Sequence, residues 1–534
     1  MKRSSLLILI AHIARCAAVT LGRVLCVLAI CTSHAGPETG LTLNARARTR
    51  AATDTNAWEV ATNTVRWEAR KTAIIVCDMW DRHWCSGATA RVGEMAPRMN
   101  AVLKEARSRG VLIVHAPSDT MGYYENFPQR RTARQAPKAE APPGLDQWRS
   151  LNSAKEAPLP IDDSDGGCNE DPPCKQGGVW KHEVDALEIA EADIVTDRGD
   201  EVYNVLQARG IENVIVMGVH TNMCVLGRPF SIRQMVSLGK HVVLMRDMTD
   251  TMYNSRMRPW VSHFAGTDLV VEHIEKYWCP SVTSADFLGG EPFRFREDVR
   301  PHVVFLISEP EYDTKRTLPE FAKADLAWRG FRTTIIHGEG KDGNEFTGLE
   351  TFPDADLLVI SVRRHTPSLQ QLEFVRKHLA AGRPLVGIRT ASHAFDADPA
   401  DSAHAKWGTF DVDALGGHYL GHYNNKAGGG ADTVVTIAAE GSTHPILNGF
   451  PHEPIRFASH LYKNRDMAPT TQVLLRGSVG DQGQNEPLAW VNTASQRRVF
   501  YTSLGSVDDF KQPAFRTLLR NGILWALNKP VPPR

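Results

Sequence analysis

The segment "ENVIVMGVHTNMCVLGRPFSIRQMVSLGKHVVLMRD", residues 212–247, decides the fold of the first half of the chain. An apolar run ends in a turn at Cys224, a helical pattern follows, and a second apolar run, "HVVLM", comes next. A buried strand, a helix and another buried strand in succession predict a parallel crossover. Cys224 stands at the turn, where it is either a nucleophile or a small apolar residue packed into the core.

The same alternation surrounds this segment and then restarts near residue 300. The runs "AIIVC", "VLIVHA" and "DIV" precede it, and "HVVFLIS", "TTIIH", "LLVIS" and "PLVGI" follow in the second half. We therefore predict an α/β protein with two doubly wound α/β/α domains, each with a mainly parallel sheet. A chain of 534 residues is also too long for one hydrophobic core. The predicted domains are 69–288 and 301–534, joined by a linker at 289–300.

The N-terminus has the pattern of a secretory signal. "MKRSSLLILIAHIARCAAVTLGRVLCVLAICTSHAG" runs from basic to apolar and ends in the small-residue site Ser33-His34-Ala35. This predicts a signal peptide at 1–35, a polar leader at 36–68 and export to the periplasm or the cell exterior. A retained membrane anchor is the alternative. No apolar run reaches the ~18 residues that span a bilayer, so we expect no transmembrane span after signal removal.

The balance of charge limits the partners. Lys and Arg number 61, and so do Asp and Glu, which gives no electrostatic case for a nucleic acid partner. We expect a small-molecule substrate, no cofactor and no bound metal. Self-association into a homo-oligomer is left open.

Export also changes how the cysteines are interpreted. In "GGCNEDPPCKQGG", Cys168 and Cys174 flank a short loop within a Pro-, Gly- and charge-rich excursion at 128–178. This spacing in an exported protein predicts a local disulfide. The alternative is a zinc site, which would need further Cys or His ligands, and only His182 is close in sequence.

Two side chains follow strands in a way that predicts chemistry. Asp78 comes just after "AIIVC", and Cys224 comes soon after "VIVMGV". The carboxyl ends of parallel strands meet at one edge of a sheet, so we expect both residues at the same crevice. A helix that begins at Cys224 would also lower the pKa of its thiol.

These residues resemble the isochorismatase-like cysteine hydrolases. "VIVMGVHTNMCV", "SLGKHVVLMRDMTDT" and "AIIVCDMWDRHWC" carry the resemblance, which covers roughly residues 70–280. It implies an Asp–Lys–Cys triad in which Cys224 attacks a carbonyl or imidate carbon and Asp78 is the general acid/base. It also implies an oxyanion hole built from the Met223 and Cys224 amides after a cis peptide at Val219–His220.

Other members of the implied site are less regular. His220 and Asn222 are polar groups at the crevice mouth, which either set specificity or cap the helix. The lysine of the family is missing from "DIVTD", so Lys181 is the predicted replacement and Arg198 the alternative. An altered site without activity also stays open. His83 and His115 do not match the metal-site spacing of the nicotinamidase branch, which favours structural histidines.

The second half resembles another family. "RPLVGIRTASHAF" puts an arginine at the strand-end turn where glutamine amidotransferases carry a nucleophilic cysteine. "LGGHYLGH", "STHPILNGF" and "RVFYTSLGSVDDF" resemble the ThuA (trehalose-utilisation) domains, which share that amidotransferase-like fold. A site there would suit polar ligands such as sugars. Its candidate residues are Arg389, His393, His418, His422 and Ser506. A binding or packing module with surface histidines is the alternative.

The predicted function combines both resemblances. We expect an exported cysteine hydrolase that cleaves an amide or related C–N bond through a Cys224 thioester, with a ThuA-like domain that binds a carbohydrate. The alternative is a catalytically degenerate ligand-binding or assembly protein of the cell envelope. A sugar hydrolase with paired carboxylates in the second domain is disfavoured, because no clear pair of acidic residues follows its strands.

Overall fold

A computed structural model of this protein describes residues 40–50, 58–349, 355–425, 431–480 and 483–532. The signal peptide predicted for residues 1–35 lies outside these ranges. Within them, none of the helices combines the length and the apolar character that crossing a membrane requires.

The first sheet has eight strands in the order β2-β1-β8-β7-β6-β3-β4-β5. Strands β3 to β8 run parallel, and β1 pairs antiparallel with β8. The strands are β1 (Gly40–Arg50), β2 (Trp58–Glu68), β3 (Thr72–Cys77), β4 (Leu112–Ala116), β5 (Ile194–Val195), β6 (Asn213–Val219), β7 (His241–Asp250) and β8 (Ser281–Val282). The central strands β3 and β6 are buried at every position, because apolar side chains cover both faces of the sheet.

Helices form the two outer layers of this domain. The long helix α1 packs on one face through Met95, Met99 and Leu103, and helices α4 and α7 pack on the other through Val202 and Ile274. The helices are α1 (Ser86–Arg109), α2 (Met121–Tyr124), α3 (Pro128–Gln135), α4 (Gly199–Ala208), α5 (Cys224–Gly227), α6 (Ile232–Ser237), α7 (His263–Tyr277) and α8 (Ala285–Leu288). The predicted three-layer α/β/α arrangement is confirmed for this half.

Strands β1 and β2 occupy much of the segment predicted as a polar leader. In β1 the side chains of Leu41, Leu43 and Ala45 are buried and their neighbours are more exposed. This alternation with a period of two is that of a strand with one face on a core. Arg46 lies opposite Ser281 of β8, so the segment extends the sheet edge. Polar residues separate the apolar positions, and for this reason the sequence pattern predicted a polar leader.

The second domain has a nine-stranded sheet in the order β10-β9-β11-β12-β19-β18-β17-β14-β15, and β13 pairs with β16 in a small separate sheet. The strands are β9 (His302–Ser308), β10 (Arg332–His337), β11 (Leu357–Val362), β12 (Leu385–Ile388), β13 (His418–His422), β14 (Thr433–Ile437), β15 (Ile455–Phe457), β16 (Tyr462–Arg465), β17 (Thr471–Val479), β18 (Gly483–Asn492) and β19 (Val499–Thr502). Strands β10, β9, β11, β12 and β19 are parallel, and the remaining strands of this sheet are antiparallel.

Helices cover both faces of this sheet as well. Helix α10 (Leu369–Ala380) packs on one face through Leu372, and α9 (Thr314–Phe321) and α11 (Pro513–Ala526) pack on the other. The α/β class with two large sheets is therefore confirmed. The prediction of a mainly parallel sheet leaves room for the antiparallel part, in which β17 and β18 pair across a short connection.

Candidate active site

Asp78 and Cys224 lie at the same edge of the first sheet. Strand β3 pairs in parallel with β4 on one side and with β6 on the other, so the winding of the chain reverses at β3. Asp78 directly follows β3, and Cys224 begins α5 after the turn that follows β6. Open α/β sheets bind ligands at the carboxyl ends of strands where the winding reverses.

The Asp78 carboxylate is fully buried and accepts hydrogen bonds on both oxygens. Oδ1 accepts from the Ser118 N–H at 2.7 Å, and Oδ2 accepts from Arg228 Nε at 3.1 Å. Burial raises the pKa of Asp78 above its ordinary value, although Arg228, Ser118 and Cys224 oppose the rise. A carboxylate with a raised pKa is a stronger base, which suits it to accept the proton of a thiol.

The Cys224 thiol interacts electrostatically with both Asp78 and Arg228. Burial raises the pKa of the thiol well above its ordinary value, the Asp78 charge raises it further, and Arg228 lowers it. The sequence predicted a lowered pKa from helix amides, but α5 has only four residues, and burial outweighs so short a helix. The thiol is therefore protonated at neutral pH, and its proton has to leave as it attacks.

Arg228 is the cation of this site, and the sequence prediction missed it. Its guanidinium lies 3.1 Å from the Asp78 carboxylate and 3.4 Å from that of Asp119. Burial disfavours its charge, but Asp78 and Cys224 raise the pKa of Arg228. Arg228 stands four residues after Cys224, a spacing that brings side chains together on a helical turn. This four-residue spacing is the feature of the sequence from which Arg228 could have been predicted as part of the site.

Lys181 and Arg198, the two cations considered from the sequence, have other surroundings. Lys181 is exposed, and its backbone N–H donates to Asp81 at 2.8 Å. Arg198 pairs with acidic residues of the surface, at 2.9 Å from Asp146. In the described part of the chain, Arg228 is the cation that contacts Asp78. Lys181 is exposed, so the cation beside Asp78 is Arg228 and not the predicted Lys181.

The turn before α5 leaves one amide for a developing oxyanion. The peptide bond between Val219 and His220 is cis, as the resemblance implied. The Met223 N–H donates to the His220 carbonyl at 3.0 Å and is therefore already used. The described residues provide no acceptor for the Cys224 N–H. Of the two amides predicted for an oxyanion hole, the one of Cys224 is the donor left over.

Asn222 and His220 differ in what they can offer a ligand. Asn222 is a clamp: its amide donates to Asp163 at 2.7 Å and to the Met252 carbonyl at 3.1 Å, and its Oδ1 accepts from the Met252 N–H. His220 is buried, and Nε2 has no hydrogen-bond partner among the described residues. Burial, together with the neighbouring His83, holds the pKa of His220 well below its ordinary value. A neutral ring with one free nitrogen can bind a polar ligand atom.

Aromatic rings pack in or against the apolar cluster that contains Cys224, and one of them lies beside Arg228. Trp80 and Trp180 stack with ring centroids 4.5 Å apart, and both belong to the apolar cluster that contains Cys224. Trp148, from the excursion at 128–178, lies with its ring centroid 5.5 Å from the Arg228 guanidinium. A side chain at Gly227 would collide with Trp148, because a Cβ there would lie 2.6 Å from its ring.

The disulfide predicted between Cys168 and Cys174 is not formed, and both thiols are free. Cys168 Sγ lies 2.6 Å from Cys85 Sγ, and Cys174 Sγ lies 3.5 Å from Ser86 Oγ. The loop that carries the two cysteines folds onto the beginning of α1, and this long-range contact brings in Cys85. Local spacing in the sequence could not show it.

His83 and His115 have separate partners. The His83 ring stacks on Trp180 at 5.9 Å, and burial with help from Arg91 lowers the pKa of His83 to about 4. His115 is fully buried, with Nδ1 2.7 Å from Glu183 and Nε2 3.2 Å from Asp193. Burial alone would lower the pKa of His115, but the two carboxylates raise it to about 9.

In the second domain, Arg389 follows β12 and its guanidinium is buried. Nη1 donates to the Ser503 carbonyl at 2.7 Å. The guanidinium lies 3.9 Å from the centroid of the Tyr312 ring and 4.8 Å from that of Tyr462. Nε and Nη2 have no hydrogen-bond partner among the described residues.

Three of the five residues predicted for a second site, Arg389, His393 and His422, surround the Tyr462 ring. The rings of His393 and His422 lie 6.1 and 6.3 Å from the Tyr462 ring, which also covers Arg389. His393 stacks on Tyr419 at 4.4 Å, and burial followed by nearby arginines lowers the pKa of His393 to about 3.

The other two predicted residues have different partners. His418 Nδ1 lies 3.0 Å from the Asp411 carboxylate. The Ser506 N–H donates to Asp509 at 3.0 Å, and the Ser506 hydroxyl is buried without a partner among the described residues.

Comparison with known proteins adds a family for the second domain. Residues 302–526 match the model of the ThuA family, which is described as trehalose utilisation. The chain is similar to a ThuA-like protein from Parabacteroides merdae, at 14% identity and a TM-score of 0.32, covering 44% of this chain and 93% of that one. No curated protein matches the chain significantly.

Several solved structures similar to the first half are cysteine hydrolases or isochorismatase family proteins. A cysteine hydrolase from Pseudomonas syringae pv. phaseolicola is 18% identical with a TM-score of 0.27, covering 42% of this chain and 93% of that one. An isochorismatase family protein from Burkholderia thailandensis is 15% identical with a TM-score of 0.24, covering 41% and 93%. Residues 302–526 match the ThuA family model, and structures similar to the first half include isochorismatase-like cysteine hydrolases.

Proposed function

We propose that the first domain is a cysteine hydrolase that cleaves an amide or related C–N bond through a thioester on Cys224. The observation that carries the proposal is that Asp78 is in reach of the Cys224 thiol and bonded to Arg228. A thiol beside a base that is itself hydrogen-bonded to a cation provides the groups that acyl transfer by a cysteine needs.

The Asp78 carboxylate and the Cys224 thiol and amide share the steps of the proposed reaction. Asp78 takes the Sγ proton while sulfur bonds to the carbonyl carbon, and the Cys224 N–H donates to the oxyanion. The C–N bond then breaks, and the leaving nitrogen takes the proton from Asp78. Water attacks the thioester and gives a proton to Asp78, which returns it to sulfur as the acid leaves.

Arg228 and the aromatic rings define the role of the surroundings. The Arg228 charge favours ionised Asp78 and stabilises the thiolate as it forms, which replaces the lysine of the resembling family. The stacked rings of Trp80 and Trp180 offer flat apolar walls, so we expect a planar and uncharged acyl group in the substrate.

The alternative function, a degenerate site that binds a ligand without turnover, also has support. Cys224 is only 8% exposed and the pKa of its thiol is raised, which a degenerate, ligand-binding site would also show. Reactivity separates the two functions, because a buried thiol without a working base reacts slowly.

Cys279 offers a matched control, since it is 6% exposed and burial raises the pKa of its thiol as well. We expect iodoacetamide to modify Cys224 faster than Cys279, and p-nitrophenyl acetate to acetylate Cys224. Peptide mass spectrometry reports both modifications. The Cys224→Ala protein should lose esterase activity and Cys279→Ala should retain it. Equal labelling rates with no acetylation of Cys224 would decide for the degenerate rival.

For the second domain we propose a site for a small polar, carbohydrate-related ligand at the Tyr462 ring. Arg389 and His393 support it, because their side chains suit hydroxyl and carboxylate groups. Calorimetric titration with trehalose and with glucuronate tests the site, and His393→Ala should weaken any binding. Binding that is unchanged in His393→Ala would refute the position of the site.

We also propose that the protein is exported and that it self-associates. The basic, apolar and small-residue order of the first 35 residues supports export with cleavage after Ala35. N-terminal sequencing of the mature protein from its native cells tests it, and a mature chain that still begins at Met1 would contradict it. Self-association as a homo-oligomer is tested by sedimentation.

A further inference from the structure

Three cysteines converge beside the first turn of α1. The thiols of Cys85, Cys168 and Cys174 have their Sγ atoms within 4.8 Å of one another. Cys85 immediately precedes α1, whereas the other two come from the loop of the excursion, more than 80 residues later in the chain. All three thiols are free. The sequence interpretation set a zinc site aside for lack of a further ligand, and Cys85 supplies that ligand.

Burial and the Cys168 thiol raise the pKa of Cys85 to about 12, and two neighbouring groups oppose this rise. The Ala88 N–H, in the first turn of α1, lies within hydrogen-bonding reach of Cys85, and the helix has 24 residues. Arg91 is buried, acts electrostatically on Cys85 and leaves Nη2 without a partner among the described residues. A buried guanidinium with a spare N–H and a long helix both offset the charge that several thiolates concentrate.

We propose that Cys85, Cys168 and Cys174 bind a thiophilic metal ion, with Zn²⁺ the expected ion. Thiolates select Zn²⁺ and Cu⁺ over harder cations. A Zn–S bond of about 2.3 Å places tetrahedral ligands about 3.8 Å apart, so only a small opening of the Cys85–Cys168 contact is needed. Binding releases the thiol protons to solvent, and water or the Ser86 hydroxyl is the fourth ligand.

The site would hold the excursion loop against the turn that carries Cys224. Asp163, five residues before Cys168, accepts from Asn222 at 2.7 Å. Gly167 packs directly on Met252: its φ is +74°, and a Cβ there would lie 2.4 Å from the Met252 carbonyl oxygen. The metal ion would therefore fix both the loop and, through Asn222, the approach to α5. The proposal of a metal site does not depend on the hydrolase activity proposed for the first domain.

The test uses the full chain, reduced with a phosphine and stripped with a chelator. We expect it to take up one Zn²⁺ in competition with a chromogenic chelator, and one Cd²⁺ with the ultraviolet charge-transfer band of cadmium thiolates. Cys174→Ser, at a partly exposed position, and Cys168→Ser should each lose at least tenfold in affinity. Cys279→Ser and Cys224→Ser should bind like the unaltered protein.

Two outcomes would overturn the site. One is uptake that Cys168→Ser and Cys174→Ser leave unchanged while both variants keep the far-ultraviolet circular dichroism of the parent. The other is a Cys85–Cys168 disulfide in the non-reduced digest, together with no metal uptake after reduction. Retained Cys224 acetylation in metal-free protein would leave the hydrolase proposal intact, so the two proposals fail separately.

Discussion

The two α/β domains use the same backbone conformation for different purposes. Asp78 follows β3 with a φ of +49°, and Arg389 follows β12 with a φ of +47°. Both are buried charged residues at the carboxyl end of a central strand. Asp78 is in reach of a thiol and a guanidinium, whereas Arg389 lies between two tyrosine rings. A strand-end turn thus provides a position, and the neighbouring side chains distinguish the two functions that we propose, acyl transfer in the first domain and ligand binding in the second.

The largest effect should come from removing the base of the first site. Asp78→Asn keeps the side-chain shape but cannot accept the Cys224 proton, so we expect esterase activity to fall about 10²–10⁴-fold. Asp119→Asn is the control, because Asp119 also contacts Arg228 but its side chain is 63% exposed. The rate of p-nitrophenyl acetate hydrolysis measures both. Equal losses in the two variants would remove Asp78 from the chemistry.

The second-largest effect is on stability, and it distinguishes Arg228 in the first domain from Arg389 in the second. Arg228→Met leaves the buried Asp78 charge without its partner, and breaking such a pair costs about 3–5 kcal/mol. Urea unfolding measures it. We also expect the acidic limb of the pH–activity profile to move to higher pH, since loss of Arg228 raises the pKa of Asp78 further. Arg228→Lys should restore most of both. An unaltered profile in Arg228→Met would show that the two groups are not coupled.

A smaller effect of opposite sign is expected at the second arginine. No ion pair within 4 Å compensates the Arg389 charge in the described part of the chain, so Arg389→Met should leave the unfolding free energy unchanged or raise it by about 1 kcal/mol. The same variant should lose affinity for glucuronate. A destabilisation as large as that of Arg228→Met would mean that Arg389 is retained for folding and that the two sites do not differ in this way.

The smallest effect is on the pH dependence of stability, and it concerns Glu156 in the excursion at 128–178 of the first domain. Glu156 is buried, which alone would raise its pKa, but hydrogen bonds from Arg233, His273 and Trp278 lower the pKa to about 2. Because the pKa is lower in the folded state, the stabilisation is present above about pH 4.5 and is lost as the pH falls toward 2.

Glu156→Gln should therefore flatten the pH dependence of the urea midpoint in this range. Trypsin is inactive at low pH, so an acid protease is the suitable probe of release of the excursion. The exposed Glu191 serves as the control position, and Glu191→Gln should leave the pH dependence as it is in the parent. A midpoint that falls equally steeply in Glu156→Gln and in the parent would contradict the assignment to Glu156.

The sequence was sufficient for some parts of this structure and not for others. Apolar runs such as Thr72–Cys77 predicted the strands, and the strand ends predicted that Asp78 and Cys224 share an edge. Arg228 was missed because a family pattern directed attention to lysines in a strand. The Cys85–Cys168 contact and the Glu156 anchor depend on how a long irregular segment packs, which no local periodicity encodes.

The position of β1 between β2 and β8 has a practical consequence for work on the isolated first domain. A truncated variant beginning at residue 69, the boundary that sequence patterns suggest, would uncover β8 and the apolar surface under Leu41 and Leu43. It would also leave Glu275 without Arg46 and Arg48. Such a fragment has a bare strand edge and would be prone to aggregate, so expression should start upstream of residue 40.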